Sequence, residues 1–293
     1  MLRAVILDVD GVIIGDRIGF NSPWPHRLVT EALRATRHNG IYVCLITAKP
    51  YFAIDRIVKD AQLSNPHVTD GGSVVVDTIS NVIVTKHVIN KDLAQNALNL
   101  FLQNDIYVEF YTIDNYYVQS EQVCETTDQH THILQRQPMI VPSLTEAATE
   151  FEIIKIMPIA RDIEDSKRVT ELFRRSSIEL NLYWAVHPIA LPRQFGIVVP
   201  FGISKTEGIK QMVRSLNLSF DDIVGVGDSA SDWQFIELCK YGAAMGNASQ
   251  ELKDLVTSKG SKLSYIGPSV DQNGIIDVLN YFKIYSPSVE PIT

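Results

Sequence analysis

The segment Ala4-Val-Ile-Leu-Asp-Val-Asp-Gly-Val12 constrains the fold most, because an apolar run of strand length ends directly in two carboxylates. Alternation along the strand points Asp8 and Asp10 to the same side of its end. Two adjacent acids repel each other, so a bound cation or a reaction explains them best. A surface turn is the alternative, because Asp-x-Asp-Gly also occurs in turns and calcium loops.

A second segment, residues 222–232, repeats this design with a short apolar strand followed by Asp228 and Asp232. Residues 229–239 predict a helix with a serine cap, which places the second acid one turn after the first. In an open parallel sheet, ligand sites lie outside the carboxyl ends of the strands. Four acids at two such ends predict a hard cation with oxygen ligands, which leaves room for a phosphate.

Four motifs occur in a fixed order along the chain: DVDGV at 8–12, LITAKP at 45–50, GISKTEGI at 202–209 and GVGDSASD at 225–232. Their order and approximate spacing resemble the haloacid dehalogenase superfamily. Ala244-Met-Gly-Asn-Ala248 and the segment 271–275 are similar to the Cof-like sugar-phosphatase branch. The resemblance covers the whole chain and implies a Rossmann-like α/β core with an inserted α+β cap.

The resemblance also implies a role for each motif residue in phosphoryl transfer. Asp8 attacks phosphorus and forms an aspartyl-phosphate, and Asp10 protonates the leaving alcohol and then activates water. Thr47 binds a phosphoryl oxygen, and Lys205 brings positive charge to the phosphoryl oxygens. Taken alone, a strand-end threonine and a solvated helix lysine are ordinary. Three further substrate-binding candidates are Ala48, Lys49 and Asn247.

Magnesium is the cofactor that the resemblance implies. Asp228 ligates it together with Asp8 and the backbone carbonyl of Asp10, while Asp232 ligates it or orients a water on it. The alternative for Asp232 is a first-turn acid favoured by the helix macrodipole.

Three departures from the family pattern bear on function. Thr47-Ala48-Lys49 stands where Thr-Gly-Arg is usual. The lysine keeps the positive charge, but it cannot make the two parallel hydrogen bonds of an arginine guanidinium. Ser231 stands where Asn is usual, with a shorter reach. The loop at 14–25 is long and aromatic, and either moves over the substrate or is an ordinary surface excursion.

Composition fits a globular enzyme with two cores, because 45% of the 293 residues are hydrophobic. We find no membrane-spanning stretch and no signal-peptide pattern, so we expect a cytoplasmic protein. The net charge of -8 without a basic run disfavours nucleic acid as a partner. Three widely spaced cysteines predict reduced thiols.

The pattern of elements predicts two domains. Residues 1–85 and 197–293 alternate strand and helix, which predicts a parallel sheet with helices on both faces. Residues 86–196 predict a mixed layer inserted into this core, and the resemblance makes that layer a cap that selects the leaving group. Its polar candidates for substrate contact are His130, His132, Arg136, Arg193 and Gln194.

These observations predict a magnesium-dependent phosphatase of a small phosphorylated metabolite, with a sugar phosphate or similar polyol phosphate as the expected substrate. Two alternatives remain. A phosphomutase or phosphotransferase on the same fold hands the phosphoryl group to another hydroxyl. A non-catalytic metal-dependent binding module keeps the site without turnover, although such a module has no reason to retain both Asp8 and Asp10. The sequence does not indicate an oligomeric state.

Overall fold

The computed structural model describes residues 1–285, which form two sheets and their flanking helices. The strands are β1 Ala4–Asp8, β2 Tyr42–Ile46, β3 His67–Thr69, β4 Val74–Asp77, β5 Val82–Lys86, β6 Tyr107–Tyr111, β7 Tyr116–Gln119, β8 Met139–Val141, β9 Lys155–Ala160, β10 Leu180–Ala185, β11 Gln194–Pro200, β12 Ile223–Gly227, β13 Tyr241–Ala244 and β14 Ser264–Ile266. The helices are α1 Arg27–His38, α2 Tyr51–Ala61, α3 Lys91–Leu102, α4 Glu125–Leu134, α5 Leu144–Ala147, α6 Ile163–Arg175, α7 Lys205–Ser215, α8 Trp233–Ile236, α9 Gln250–Ser258 and α10 Ile275–Tyr281.

The first sheet has eight strands in the order β14-β13-β12-β1-β2-β3-β4-β5. Strands β14 to β3 in this order are parallel, and β4 and β5 add an antiparallel edge. Because β1 pairs with both β12 and β2, the segments that follow these three strands meet at one edge of the sheet. We call this sheet with its helices the core.

Both faces of the core sheet are buried, as the apolar run in β1 predicts. Val5 and Leu7 pack on one face with residues of α1, α2 and α10. Ala4 and Ile6 pack on the other face with residues of α7, α8 and α9. The predicted fold class, a parallel sheet with helices on both faces and an added domain, is confirmed.

The second sheet has six strands in the order β10-β11-β9-β6-β7-β8, and α3, α5 and α6 pack on one of its faces. We call this sheet and its helices the cap. Strand β11 pairs with β9 and β10, so the predicted domain boundary at 196/197 falls inside a cap strand. On this division of the sheets, the core resumes after Pro200.

Local differences from the predicted elements have simple causes. The helix predicted over 229–239 is a 3-10 turn at Ala230–Asp232 followed by the four-residue α8. Asp232 turns back to accept hydrogen bonds from the start of this turn, and this tightens the chain. The mixed layer predicted over 86–196 is present, with β9 at Lys155–Ala160 near its middle and the short β8 at Met139–Val141 on its edge.

Across residues 1–285, no helix combines the length and the apolar character needed to cross a membrane. The predicted free thiols are present: Cys44 and Cys239 are buried, and Cys124 is exposed.

Candidate active site

Two of the motif acids meet where β1 and β12 end side by side. Asp8 is the last residue of β1, and Asp228 directly follows β12. Gly11 lies directly against Asp228: its φ is 80°, and a Cβ atom there would lie 1.9 Å from Oδ2 of Asp228. Glycine is therefore required at this position both for its backbone conformation and for the close approach of Asp228.

Lys205 is the cation of this group. It is the first residue of α7, whose N-terminus is capped by Ser204. Its Nζ atom donates to Oδ1 of Asp8 at 2.9 Å and to Oδ1 of Asp232 at 3.2 Å. Burial alone would lower the pKa of Lys205, but the two carboxylates raise it above its usual range. The lysine therefore stays charged and fixes the position of Asp8.

One lysine does not neutralise the acids around it. Burial raises the pKa of Asp8 to about 7, although the ammonium of Lys205 opposes this shift. Burial and the nearby carboxylates of Asp8 and Asp232 raise the pKa of Asp228 to about 8. Such crowding of buried carboxyls is what a bound cation relieves.

The donor atoms suit magnesium. One carboxylate oxygen from each of Asp8, Asp228 and Asp232 lies within 4.8 Å of the others. Hard oxygen ligands of this kind are those that Mg²⁺ prefers. Asp232 also makes structural contacts: its Oδ2 accepts from the backbone N–H groups of Asp228 and Ser229 at 3.1 and 3.0 Å. It holds both Lys205 and the loop of Asp228, a role that the helix-dipole alternative did not include.

Asp10 lies in different surroundings, although it is only two residues from Asp8. Its Oδ1 accepts from Nζ of Lys49 at 2.6 Å and lies 3.2 Å from Nε2 of His187. Burial favours the neutral acid, but Lys49 and His187 hold the pKa of Asp10 well below its usual range. Lys49 therefore pairs with Asp10, and its contact with substrate stays a prediction.

The family model for haloacid dehalogenase-like hydrolases matches residues 5–279. The chain belongs to this family. The predicted resemblance is confirmed, and so is the expectation of an enzyme, since the family consists of hydrolases.

Relatives of this hydrolase match it over nearly its whole length. It is 24% identical over 294 residues to the stress response protein YhaX of Bacillus subtilis, covering 96% of this chain and 94% of that protein. It is 20% identical over 295 residues to 5-amino-6-(5-phospho-D-ribitylamino)uracil phosphatase YwtE of the same organism, covering 94% and 96%. The solved structure of the HAD subclass IIB sugar phosphatase BT4131 superposes with a TM-score of 0.76 at 20% identity, covering 96% and 99%.

His187 is the site residue of this hydrolase that sequence reasoning missed. It lies between β10 and β11 of the cap and is only 6% exposed, yet it reaches Asp10 of the core. Its place in a loop between two strands is typical of residues that reach toward a ligand, but the sequence holds no further signal for it. A second contact joins the domains, because Nζ of Lys155 in β9 donates to the backbone carbonyl of Ala48 at 2.8 Å.

The remaining motif candidates of the hydrolase support its loops. Thr47 is buried, and its hydroxyl oxygen accepts from the backbone N–H of Lys49 at 3.1 Å. Asn247, predicted to bind substrate, donates to the carbonyl of Gly11 at 2.9 Å and accepts from the backbone N–H of Val270. Both also lie along the cleft described next.

A cleft of about 400 Å³ runs between the core and the cap. Asp8, Thr47 and Lys205 line its core side, and Trp184 and Val186 line its cap side. Of the five polar cap residues predicted from the sequence, His130 alone lines a cavity at this junction among the described residues. The others lie elsewhere: Arg193 binds Gln129, Gln194 binds the carbonyl of Pro192, and His132 and Arg136 are exposed.

The long loop at 14–25 is anchored to the core. The buried Asn21 donates through Nδ2 to Oδ1 of Asp271 at 2.7 Å, and Gly15 lines the cleft. Ser231 contacts the hydroxyl of Ser229 at 2.8 Å at the cleft edge.

Proposed function

We propose that this hydrolase is a magnesium-dependent phosphatase that acts on a small phosphorylated metabolite through an aspartyl-phosphate on Asp8. The observation that carries this proposal is the placement of Asp8 at the tip of β1, fixed by Lys205 and facing a cleft of substrate size. YwtE and BT4131, which resemble this chain over nearly their full lengths, bear the names of phosphatases.

Asp8 supplies the nucleophile. An oxygen of its carboxylate forms a bond to phosphorus as the bond from phosphorus to the alcohol oxygen breaks. Lys205 lies close enough to Asp8 to stabilise the negative charge on the transferring phosphoryl oxygens, and the Thr47 hydroxyl lines the same side of the cleft. Water then attacks phosphorus, which releases phosphate and restores Asp8.

Asp10 supplies the proton to the leaving alcohol and takes one from the attacking water. Its pairing with Lys49 and His187 keeps it ionised before substrate binds. A dianionic phosphate in the cleft adds negative charge beside Asp10, which raises the pKa of its carboxyl and favours the protonated form. Lys49 and His187 thus fix the position of the carboxyl, and the bound phosphate changes its protonation.

Asp8 and Asp228 would hold magnesium, with Asp232 as a third carboxylate beside them. When bound, magnesium supplies positive charge that neutralises the phosphoryl oxygens in the transition state. Asp232 in addition accepts from Lys205 through its Oδ1. The same residue would therefore position both the metal ligands and the lysine.

The substrate class and location stay predictions. A sugar phosphate remains the substrate that the sequence predicts, and BT4131 is named a sugar phosphatase. We keep the cytoplasm as the expected location and a small-molecule ester as the expected partner, without nucleic acid.

A phosphate-release assay tests this proposal. The purified protein is given 4-nitrophenyl phosphate and a panel of alkyl phosphates with Mg²⁺, and the same reactions are run with a chelator. We expect release with Mg²⁺ and none with the chelator, and recovery when Mg²⁺ is returned. Full activity in chelator would refute the metal requirement, and transfer of the phosphoryl group to an added alcohol instead of water would favour the phosphotransferase alternative.

A further inference from the structure

Lys155 is a fully buried lysine at the start of β9, a strand inside the cap sheet. Its ammonium lies against the core: Nζ donates to the backbone carbonyl of Ala48 at 2.8 Å and lies 3.1 Å from Oδ1 of the buried Asp70. Replacing a buried ion pair by apolar side chains often leaves stability unchanged or raises it. Stability alone therefore does not explain a charged group at this position.

The backbone carbonyls of residues 47–49, which follow β2, each accept one hydrogen bond. The first accepts from the backbone N–H of Gly71 at 3.2 Å, and the third accepts from that of Asp70 at 2.9 Å. The second, that of Ala48, accepts from Lys155. Two of these three donors belong to the core, and the middle one belongs to the cap.

Asp70 links the core donors to the cap donor. Its backbone N–H binds the carbonyl of Lys49, while its carboxylate pairs with Lys155 and accepts from the Thr69 hydroxyl at 3.0 Å. Its φ is 52°, in the left-handed region that Asp and Asn tolerate better than most side chains. The turn that holds residues 47–49 thus contains a buried carboxylate, and the cap supplies its cation.

The side chains on either side of Ala48 both serve the site. Thr47 lines the cleft with Asp8, and Lys49 donates to Asp10 at 2.6 Å. The Thr47 hydroxyl also accepts from the backbone N–H of Lys49, which ties the two residues to each other. A shift of the Ala48 carbonyl would displace both, and a displacement of about 1 Å can lower a rate a hundredfold.

Apolar contacts already join the cap to the core next to this segment. The rings of Phe52 and Tyr116 stack with their centroids 6.5 Å apart, and Ala53 packs in the same cluster. An apolar side chain at position 155 could extend such contacts. What the ammonium adds is a directed hydrogen bond to one carbonyl of the catalytic segment.

We propose that Lys155 is a positioning residue of the reaction: through the Ala48 carbonyl it places Thr47 toward the phosphoryl group and Lys49 toward Asp10. This inference rests on the proposed function and extends it, because the cap then helps to arrange the catalytic groups of the core as well as the leaving group.

Three variants separate this role from stability. Lys155→Met removes the donor and leaves Asp70 without its cation. The double variant Lys155→Met/Asp70→Asn removes that unpaired charge, and Asn tolerates the left-handed backbone, so the backbone donor at position 70 is kept. Ile156→Ala is the matched control: Ile156 is fully buried in the same strand, points to the opposite face of the cap sheet, and its truncation also destabilises the cap.

The rates are measured with Mg²⁺ on 4-nitrophenyl phosphate and on the fastest ester of the alkyl phosphate panel, at a temperature where circular dichroism shows each protein folded. Both variants at position 155 should lose about tenfold or more in kcat/KM on 4-nitrophenyl phosphate, because Thr47 is displaced. The alkyl ester should lose about threefold more, because it also needs Asp10 as the acid. Ile156→Ala should keep both rates near those of the unmodified protein.

The double variant decides the question, also if Lys155→Met alone does not fold. It should be more stable than Lys155→Met and yet no faster, since the Ala48 carbonyl still lacks its donor. Recovery of the normal rates in the double variant would show a purely structural role and overturn the proposal, and so would equal losses in Ile156→Ala. Absence of phosphate release by the unmodified protein would instead overturn the proposed function.

Discussion

The core and the cap face the same cleft with surfaces of opposite character. The core contributes a cluster of charge, in which Asp8, Asp228 and Asp232 surround Lys205. The cap contributes apolar side chains and a single contact to the catalytic acids, from His187. On the proposed function, the charged groups that handle the phosphoryl oxygens all belong to the core, whereas the cap side of the cleft is mainly apolar and supports Asp10 through His187.

The division is not complete, because polar side chains of the cap also contact the core close to the site. His187 contacts Asp10, and Lys155 contacts the loop of Ala48 as well as Asp70 in the core at 3.1 Å. A cap that only selects the leaving group would need neither contact.

Asp8→Asn should lower kcat by at least about a thousandfold, because it removes the nucleophile and little volume. The rate of release from 4-nitrophenyl phosphate measures the loss. Asp16→Asn is the control, since Asp16 is an exposed carboxylate along the same cleft and should keep near-normal activity. More than a few per cent of residual activity in Asp8→Asn would rule out the covalent role.

Lys155→Met should lower the free energy of unfolding by about 3 kcal/mol, because it leaves the buried carboxylate of Asp70 without its cation. Urea titration followed by circular dichroism measures this, and the double variant with Asp70→Asn should recover part of the loss. Lys86→Met removes the solvent-exposed ion pair to Glu152 and should lower the free energy of unfolding far less. Equal losses in the two variants would show that the buried ion pair between cap and core stabilises the fold no more than an exposed ion pair does.

Magnesium affinity should rise with pH. The raised pKa values of Asp8, about 7, and Asp228, about 8, mean that protons occupy these carboxyls at lower pH and compete with the cation. Raising the pH through this range removes the protons, so the affinity should increase up to about tenfold per pH unit for each proton displaced. Calorimetry in two buffers of different ionisation enthalpy measures the proton release. Binding that is independent of pH and releases no protons would contradict the crowded-carboxylate account.

His187→Ala should have the smallest effect, about tenfold or less in kcat/KM, and only for esters that need a protonated leaving group. An alkyl phosphate should lose rate, while 4-nitrophenyl phosphate, whose leaving group needs no proton, should lose little. Equal losses of kcat/KM on the two esters would show that His187 stabilises the structure of the site in general and does not specifically support Asp10 as the acid.

The two sides also differ in how far the sequence predicts them. Asp8, Asp228 and Lys205 follow strand ends or begin a helix, so local pattern and the family motifs predicted both the elements and their meeting. The proximity of His187 to Asp10 depends on how a cap loop between two antiparallel strands packs onto the core. No local pattern reports such a contact between domains.

Lys49 and Asn247 illustrate the same limit inside the core. Their motifs were recognised, but the partner of each side chain depends on distances between loops. Lys49 pairs with Asp10, and Asn247 joins Gly11 to Val270. Residue type and spacing predicted that both residues lie near the site, but they did not predict which atoms each side chain contacts.

If the core performs the chemistry through Asp8, this residue carries a phosphoryl group during turnover. The direct test is an acid quench of the Asp10→Asn variant during turnover of 4-nitrophenyl phosphate, followed by peptide mass spectrometry. The activated ester needs no proton to form the intermediate, whereas its hydrolysis lacks the base, so the phosphoryl group should accumulate on Asp8. Release of 4-nitrophenol with no phosphoryl group on Asp8 at any time point would contradict the account.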